Sequence, residues 1–210
     1  MDIASKVALG ALGTGGAVGG GFLASQHLFK ENQSTLSYKL QQEGFSPMKN
    51  DNPQWATTLS KYNSVKGNSD EAFEVSSKEL TDKQLKDKCE SVLKKESYSE
   101  SERVKAIRWC TSPISVKDRI DKLGRRSLHD VDGGDTDKGI WVDLVKKHLD
   151  ASAKNKLGIS INTLSTNETV DDTRINSIKK GCRDLKDKTS IEKDYLSDYS
   201  KFSDWCSVSK

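Results

Sequence analysis

Apolar residues recur at helical spacing through most of the chain beyond residue 30. Near the C-terminus, five of them repeat every three or four residues, which places them on one face of a helix. They are Ile191, Tyr195, Tyr199, Phe202 and Cys206. Capping-box pairs predict where helices begin, one at Ser99 with Glu102 and one at Thr189 with Glu192. Alternation typical of a strand occurs only at 157–164, so the chain is predicted to be all-α.

Stripes of the same kind predict further short helices, and these fall into two sets. They cover 36–40, 55–62, 85–93 and 104–110, and then 116–123, 141–148 and 175–185. An acidic pair, Asp171-Asp172, precedes the helix at 175–185 and suits a helix N-terminus. Each set is predicted to pack as a small bundle of three or four helices.

The rarest residue types recur in the same order in the two halves of the chain. The two series are Trp55, Cys89, Trp109 and Cys110, and then Trp141, Cys182, Trp205 and Cys206. They use every tryptophan and every cysteine. We therefore predict a tandem duplication, with helical repeat 1 at 34–114 and helical repeat 2 at 115–210, following an N-terminal segment at 1–30.

The offset between matching residues grows along the chain, which predicts small insertions in the second copy. It is 83 residues where Lys39-Leu40 matches Lys122-Leu123 and Phe45 matches Leu128, and it is 96 at the two Trp-Cys pairs. The residues between these anchors match poorly. Chance agreement of a few aromatic and sulfur positions therefore stays open as the alternative.

The four cysteines lie on the predicted buried faces of the last two helices of each half. In an antiparallel helical hairpin these positions face each other, which predicts the disulfides Cys89–Cys110 and Cys182–Cys206. Each closes a loop of about 20 residues and contributes about 3 kcal/mol in the chain-entropy model. Such a link suits a thin core, since only 33% of the residues are apolar and 31% are charged. Four buried free thiols that act as small apolar residues are the alternative.

Trp109 and Trp205 each directly precede the second cysteine of a predicted pair. An exposed ring could bind a ligand. A ring that shields the disulfide, with its indole N–H bonded to a nearby backbone group, is the preferred interpretation.

The segment 7–29 contains no Asp, Glu, Lys or Arg and is long enough to cross a hydrocarbon core of about 30 Å. We predict a signal anchor or transmembrane helix there. Small residues at four-residue spacing form two stripes that allow close packing of membrane helices, and hence a homodimer as a hypothesis. The stripes are Ala11, Gly15 and Gly19, and Gly16, Gly20 and Ala24. A cleaved signal peptide and a soluble glycine-rich arm are the alternatives.

Charge and motifs argue against several classes of function. The 34 basic and 31 acidic residues are interspersed, which is typical of a solvated surface and not of a nucleic-acid-binding one. The run 19–24 fits a G-x-G-x-x-A fingerprint, but the strand and the acidic residue that dinucleotide binding requires are missing. The acidic turn at 130–137 lacks the spacing of a calcium loop, so we interpret it as a solvated loop capping the Trp141 helix. We predict no metal site, no cofactor and no enzymatic activity.

The segment 7–29, followed by a lysine- and serine-rich body with Trp-Cys pairs, resembles the large paralogous sets of short uncharacterised proteins of haemotropic mycoplasmas. The resemblance implies a protein anchored in the bacterial cell membrane, with its C-terminal body on the outside. It also implies an antigenic or host-contact role, with a host protein or an antibody as the partner. No catalytic residues come with it.

Two classes of function follow. The first is a surface-displayed protein whose exposed helices meet host molecules or antibodies. The second is a membrane-tethered intracellular scaffold or partner-binding module with reduced thiols. One lysine on each side of the segment 7–29 gives little indication of membrane orientation.

Overall fold

A computed structural model of the chain describes residues 33–166 and 168–210, and their architecture is helical. These residues form eight helices and two short strands. The predicted anchor at 1–30, with both small-residue stripes, lies outside the described residues. Among the residues that are described, no helix has the length and apolar character needed to cross a bilayer.

The first half contains four helices. They are α1 (Leu36–Gln42), α2 (Trp55–Ser64), α3 (Asp82–Leu93) and α4 (Glu100–Cys110). The last two begin with complete capping boxes, Thr81 with Gln84 and Ser99 with Glu102, in which side chains and backbone N–H groups bond reciprocally. The sequence predicted the second of these boxes, and the structure confirms it.

The second half also contains four helices, together with a two-stranded sheet. Its elements are α5 (Val116–Lys122), β1 (Arg125–Ser127), α6 (Lys138–Leu149), α7 (Asp172–Lys186), α8 (Tyr195–Trp205) and β2 (Ser207–Ser209). The strands pair antiparallel, with Ser127 opposite Ser207. The Asp171 side chain caps α7 by accepting from the backbone N–H of Arg174 at 2.9 Å, as the acidic pair predicted.

The first helix of each half is held by the same backbone bond. Leu36 N donates to Lys95 O at 2.8 Å, and Val116 N donates to Lys188 O at 2.9 Å. These bonds align the two helices at an offset of 80 residues. The offset of 83 that the sequence predicted here is therefore wrong by three residues. Three residues are nearly one helical turn, so the apolar pattern looks much the same in either alignment.

The segment after the first helix also has equivalent contacts in the two halves. Met48 N donates to Cys110 O at 2.9 Å, and Leu128 N donates to Cys206 O at 2.8 Å. Leu128 therefore corresponds to Met48 and not to Phe45. Each segment thereby crosses the end of the last helix of its own half.

The last helix, α8, begins later than its apolar stripe predicted. It starts at Tyr195, so Ile191 lies outside it, although Ile191 is buried. The preceding segment is held by the other half, because Ser190 N donates to Ile114 O at 3.0 Å and Ile114 N donates to Ser190 Oγ at 3.2 Å. The bond from Thr189 N to the Glu192 carboxylate is present at 2.8 Å, but it closes a turn and not the start of a helix.

The strand considered at 157–164 does not form. This segment is irregular, and the backbone carbonyls of Asn162 and Thr163 accept hydrogen bonds from the Arg174 guanidinium at 3.0 Å. Its carbonyls are thus satisfied by a side chain and not by a neighbouring strand. The strands of the described residues are β1 and β2, which the sequence pattern did not indicate.

Arg119 of α5 packs against the first half. Its guanidinium carbon lies 4.1 Å from the Phe45 ring centroid and 3.9 Å from that of Tyr199, and its Nε donates to Glu43 O at 2.9 Å. Burial lowers the pKa of Arg119. The charge is placed between two aromatic faces, which compensates for part of the lost hydration.

Candidate functional site

All four cysteines are paired as the sequence predicted. Cys89 is bonded to Cys110, and Cys182 is bonded to Cys206, with Cα–Cα distances of 5.2 and 5.6 Å. All four are buried. Each half therefore has its own buried disulfide, which joins the third helix of that half to the C-terminal end of the fourth.

The two indoles beside the disulfides are fully buried. Trp109 Nε1 donates to Glu71 O at 2.7 Å, and Trp205 Nε1 donates to Asn155 O at 2.7 Å. The shielding interpretation is thereby confirmed, since both rings lie in the core and both polar N–H groups are satisfied.

An aromatic ring from the second helix of each half packs edge-on against this tryptophan. In the first half it is Tyr62, at 5.3 Å between ring centroids from Trp109. In the second half it is His148, at 5.2 Å from Trp205. Burial lowers the pKa of His148. The sequence aligned these two positions but gave no sign that both rings touch a tryptophan.

The same two rings identify equivalent positions in the loops that follow. Phe73 N donates to the Tyr62 hydroxyl at 3.1 Å, and His148 Nε2 lies 3.2 Å from Leu157 O. The indole N–H groups bond to Glu71 and Asn155, which lie two residues before Phe73 and Leu157. Both sets of bonds therefore align Phe73 with Leu157. Sequence reasoning missed this correspondence because the two loops share no residue type at these positions.

Two residues beyond Phe73 and Leu157, the two loops pack differently against the neighbouring helix. In the second half, a Cβ built on Gly181 of α7 would come within 3.1 Å of Leu157 Cδ1 and 3.2 Å of Ile159 Cγ2. The loop therefore lies directly on the helix where the glycine leaves room. The equivalent residue of α3 is Lys88, since Lys88 and Gly181 each directly precede the first cysteine of their disulfide.

In the first half the loop does not lie on the helix in this way. Lys88 Nζ pairs with Glu74 at 2.8 Å, so the lysine side chain lies between the helix and the loop. Val75, which corresponds to Ile159, is 62% exposed. The first half therefore lacks the aliphatic contact that Ile159 makes in the second half.

A groove of about 520 Å³ lies at this place in the first half, and we call it the α3 groove. Its apolar residues are Phe73, Leu80 and Val92, and its rim carries charged side chains. Among these, Lys95 pairs with Glu102. The hydrogen bond from Lys95 and one from the Ser99 backbone lower the pKa of Glu102 to about 2. The groove thus combines three apolar residues with a larger number of polar and charged ones, several of which already have partners.

The acidic turn at 130–137 is paired with basic side chains. Asp130 pairs with Lys186 at 3.1 Å, and Asp132 pairs with Arg183 at 2.9 Å. Nearby, the ammonium of the buried Lys179 donates to the carbonyls of residues 131 and 134 at 2.7 and 3.2 Å. Within the described part of the chain, no three His, Cys, Asp or Glu side chains are arranged to hold a metal ion.

The end of this turn leads into α6. Asp137 occupies the N-cap position, but its carboxylate binds Arg126 and the backbone N–H of His129. The expectation that this turn caps α6 is therefore wrong for the side chain at the N-cap. The hydrogen bond from Arg126 lowers the pKa of Asp137. Trp141 Nε1 donates to His129 O at 3.2 Å, which joins the turn to the core.

No protein-family model, curated protein or solved structure matches the chain. Function must therefore be inferred from the chemistry of the protein itself. The α3 groove is the candidate functional site, because it is a concave surface of about 520 Å³ at a position where the two halves pack differently.

Proposed function

We propose that this protein is displayed on the surface of a bacterial cell, anchored in the membrane by its N-terminal segment, and that it has an antigenic or host-contact role and no catalytic one. The observation that carries the proposal is the pair of buried disulfides, Cys89–Cys110 and Cys182–Cys206. Disulfides persist in oxidising surroundings outside the cell and are rare in a reducing cytosol.

The N-terminal sequence supports the anchor. The segment 7–29 contains no Asp, Glu, Lys or Arg and has the length of a membrane span. An anchor before an oxidised body is the order expected for a protein held at the outer surface. The stripes of small residues, such as Gly15 and Gly19, would let two anchors pack into a homodimer.

We also propose that the two halves of the body descend from one ancestral unit. The equivalent backbone bonds of α1 and α5, the matching disulfides and the matching indole contacts support this origin. Duplication would leave two copies of one stable scaffold whose loops and helix faces are free to diverge. A surface protein under selection by a host would benefit from that freedom.

Surface labelling of intact cells tests the proposed location. Cells are treated with a protease and with a membrane-impermeant biotinylation reagent, and a cytosolic protein serves as the control for lysis. We expect the body, which carries many exposed lysines, to be biotinylated and cleaved while the cytosolic control is untouched. Protection of the body in intact cells, lost on lysis, would instead support a membrane-tethered intracellular scaffold.

A further inference from the structure

We propose that mild acid releases residues 153–161 from the second half of the chain, and that protonation of His148 is the trigger. We call these residues the acid loop; they lie between α6 and α7 and contain no helix or strand. The first half holds its equivalent loop through the same kinds of contact but without a histidine. The device therefore changes the surface of one half only.

Side chains of α6 and α8 hold the acid loop in place. Trp205 Nε1 donates to Asn155 O at 2.7 Å, and His148 Nε2 lies 3.2 Å from Leu157 O. Leu157 also packs on α7 at Gly181. Because the loop has no regular structure, its opening breaks few backbone hydrogen bonds and does not require the helices to separate.

The imidazole of His148 can take a second proton only at a cost to the closed loop. Nε2 donates to Leu157 O in the neutral ring, because a carbonyl oxygen can only accept, so the second proton binds Nδ1. That proton places a full charge on a ring that is 6% exposed and packs edge-on against Trp205. Burial accordingly lowers the pKa of His148 while the loop is closed.

Two lysines beside the ring add to this cost. Lys156, in the acid loop itself, lowers the pKa of His148 further through its charge. Lys147, the preceding residue of α6, lies with its Nζ 4.5 Å from the centroid of the Trp205 ring. A protonated His148 therefore meets like charges from the loop and from its own helix.

The carboxylates of the surrounding elements do not compensate for a buried imidazolium. Each is exposed and is bound to another group. They are Asp150 with Ser152 after the end of α6, Asp204 of α8 with Asn155, and Asp184 with Lys180 on α7.

Opening of the acid loop removes the cost, because it lets water reach the ring. In water an imidazole has a pKa of about 6.5, so the open form binds the proton more tightly than the closed form does. Acid must then shift the equilibrium towards the open form. The shift between pH 7 and pH 5 is limited by protonation of the open imidazole to about 25-fold.

The first half provides an internal control, because its equivalent groups do not titrate in this range. Tyr62 takes the place of His148, and burial raises the pKa of its hydroxyl above the ordinary value. Trp109 Nε1 donates to Glu71 O at 2.7 Å, as Trp205 does to Asn155 O. The Arg108 hydrogen bond lowers the pKa of Glu71, so this carboxylate stays ionised.

Exchange of the two indole N–H protons with solvent tests the inference by NMR. The full chain, labelled with ¹⁵N and with both disulfides intact, is transferred to deuterated buffer at pH 7 and at pH 5. The ratio of the Trp205 rate to the Trp109 rate cancels the intrinsic pH dependence of indole exchange. We expect this ratio to rise several-fold in acid, by no more than about 25-fold.

Two matched variants test the trigger. His148→Gln keeps an N–H that can donate to Leu157 O but does not titrate, so the ratio should become independent of pH. His129→Gln removes an exposed histidine of the acidic turn and should leave the wild-type rise unchanged.

Three results would overturn the inference. They are a constant ratio in the wild type, equal acceleration of both indoles, which would mean opening of the whole body, and a wild-type rise that persists in His148→Gln. If His148→Gln does not fold, Lys156→Gln decides, because loss of this like charge should make the rise smaller, and an unchanged rise contradicts the proposal. None of these results depends on where the body lies in the cell, so the surface-display proposal is tested separately.

Discussion

Arg108 and Glu71 form an ion pair that is largely buried, with side chains only 14% and 13% exposed. The guanidinium also lies 4.4 Å from the centroid of the Trp109 ring and donates from Nε to Ile191 O, in the second half, at 2.7 Å. The Arg108 hydrogen bond lowers the pKa of Glu71. One side chain thus joins the first disulfide core to the segment that precedes α8.

Removing this arginine should destabilise the protein strongly. Arg108→Met leaves Glu71 buried without its main partner, and breaking a buried ion pair from one side typically costs about 3–5 kcal/mol. We expect a loss near the lower end, about 3 kcal/mol, because Lys193 Nζ lies 3.8 Å from the same carboxylate. Urea unfolding monitored by tryptophan fluorescence measures the difference.

An exposed pair provides the matched control for that variant. Lys94, which directly follows α3, and Glu90 form an ion pair with side chains 73% and 61% exposed. Lys94→Met should therefore change the free energy of unfolding by no more than about 0.5 kcal/mol. If the two methionine variants were equally stable, Arg108 would not have the role described here.

Each disulfide should contribute similarly to stability. The cysteine pairs are separated by 21 and 24 residues, and loops of this size contribute about 3 kcal/mol each in the chain-entropy model. Replacing Cys182 and Cys206 together by alanine should lower the free energy of unfolding by about that amount, and replacing Cys89 and Cys110 should do the same. A loss in one half with none in the other would show that the halves do not rely on equivalent links.

The contact between Gly181 and the loop that packs on it can be tested by giving α7 the residue that α3 has at the equivalent position, which is lysine. Gly181→Lys should displace Leu157 and Ile159 from α7, and overpacking of this kind costs about 1–3 kcal/mol. The helix propensity of lysine, which exceeds that of glycine, offsets part of the loss. Hydrogen exchange should show faster opening of 157–161 in this variant. Ser177→Lys, elsewhere on α7, is the control and should leave exchange of the loop unchanged.

His148 should make the second half sensitive to mild acid. Burial lowers the pKa of its imidazole below the unfolded value of about 6.5. Below about pH 6.5, the unfolded chain therefore binds more protons at His148 than the folded protein does. The contribution of the neutral imidazole to stability is complete above about pH 6.5. It is lost as the pH falls from about 6.5 through the lower folded pKa.

Exchanging the two rings tests this assignment. His148→Tyr, which copies the ring at position 62 of the first half, should flatten the fall in unfolding free energy between pH 7 and 5. The reverse variant, Tyr62→His, should make that fall steeper. Identical pH profiles for wild type and both variants would show that His148 does not titrate as described.

Helical architecture and disulfide pairing could be predicted from the sequence because their signals are local or rest on rare residues. Apolar spacing located the helices, Ser99 with Glu102 located the start of α4, and the order of tryptophans and cysteines indicated the pairing. These features depend on short-range geometry, which is visible in a single sequence.

Other features depend on contacts between distant residues. The start of α8 shifted because Ser190 bonds to Ile114, 76 residues earlier. The first helices were misaligned because a shift of three residues preserves their apolar faces. The α3 groove lies where α3 has Lys88 and α7 has Gly181, and a single lysine or glycine in a polar stretch does not indicate which loop packs over it.

Peptide mapping under non-reducing conditions tests the central claim most directly. Free thiols are trapped by alkylation in intact cells, the protein is isolated and digested, and cysteine-linked peptides are identified by mass spectrometry. We expect Cys89 joined to Cys110 and Cys182 joined to Cys206, with none of the four alkylated. Alkylation of these cysteines in untreated cells, or a link from one half to the other, would contradict a surface protein built from two separately cross-linked helical units.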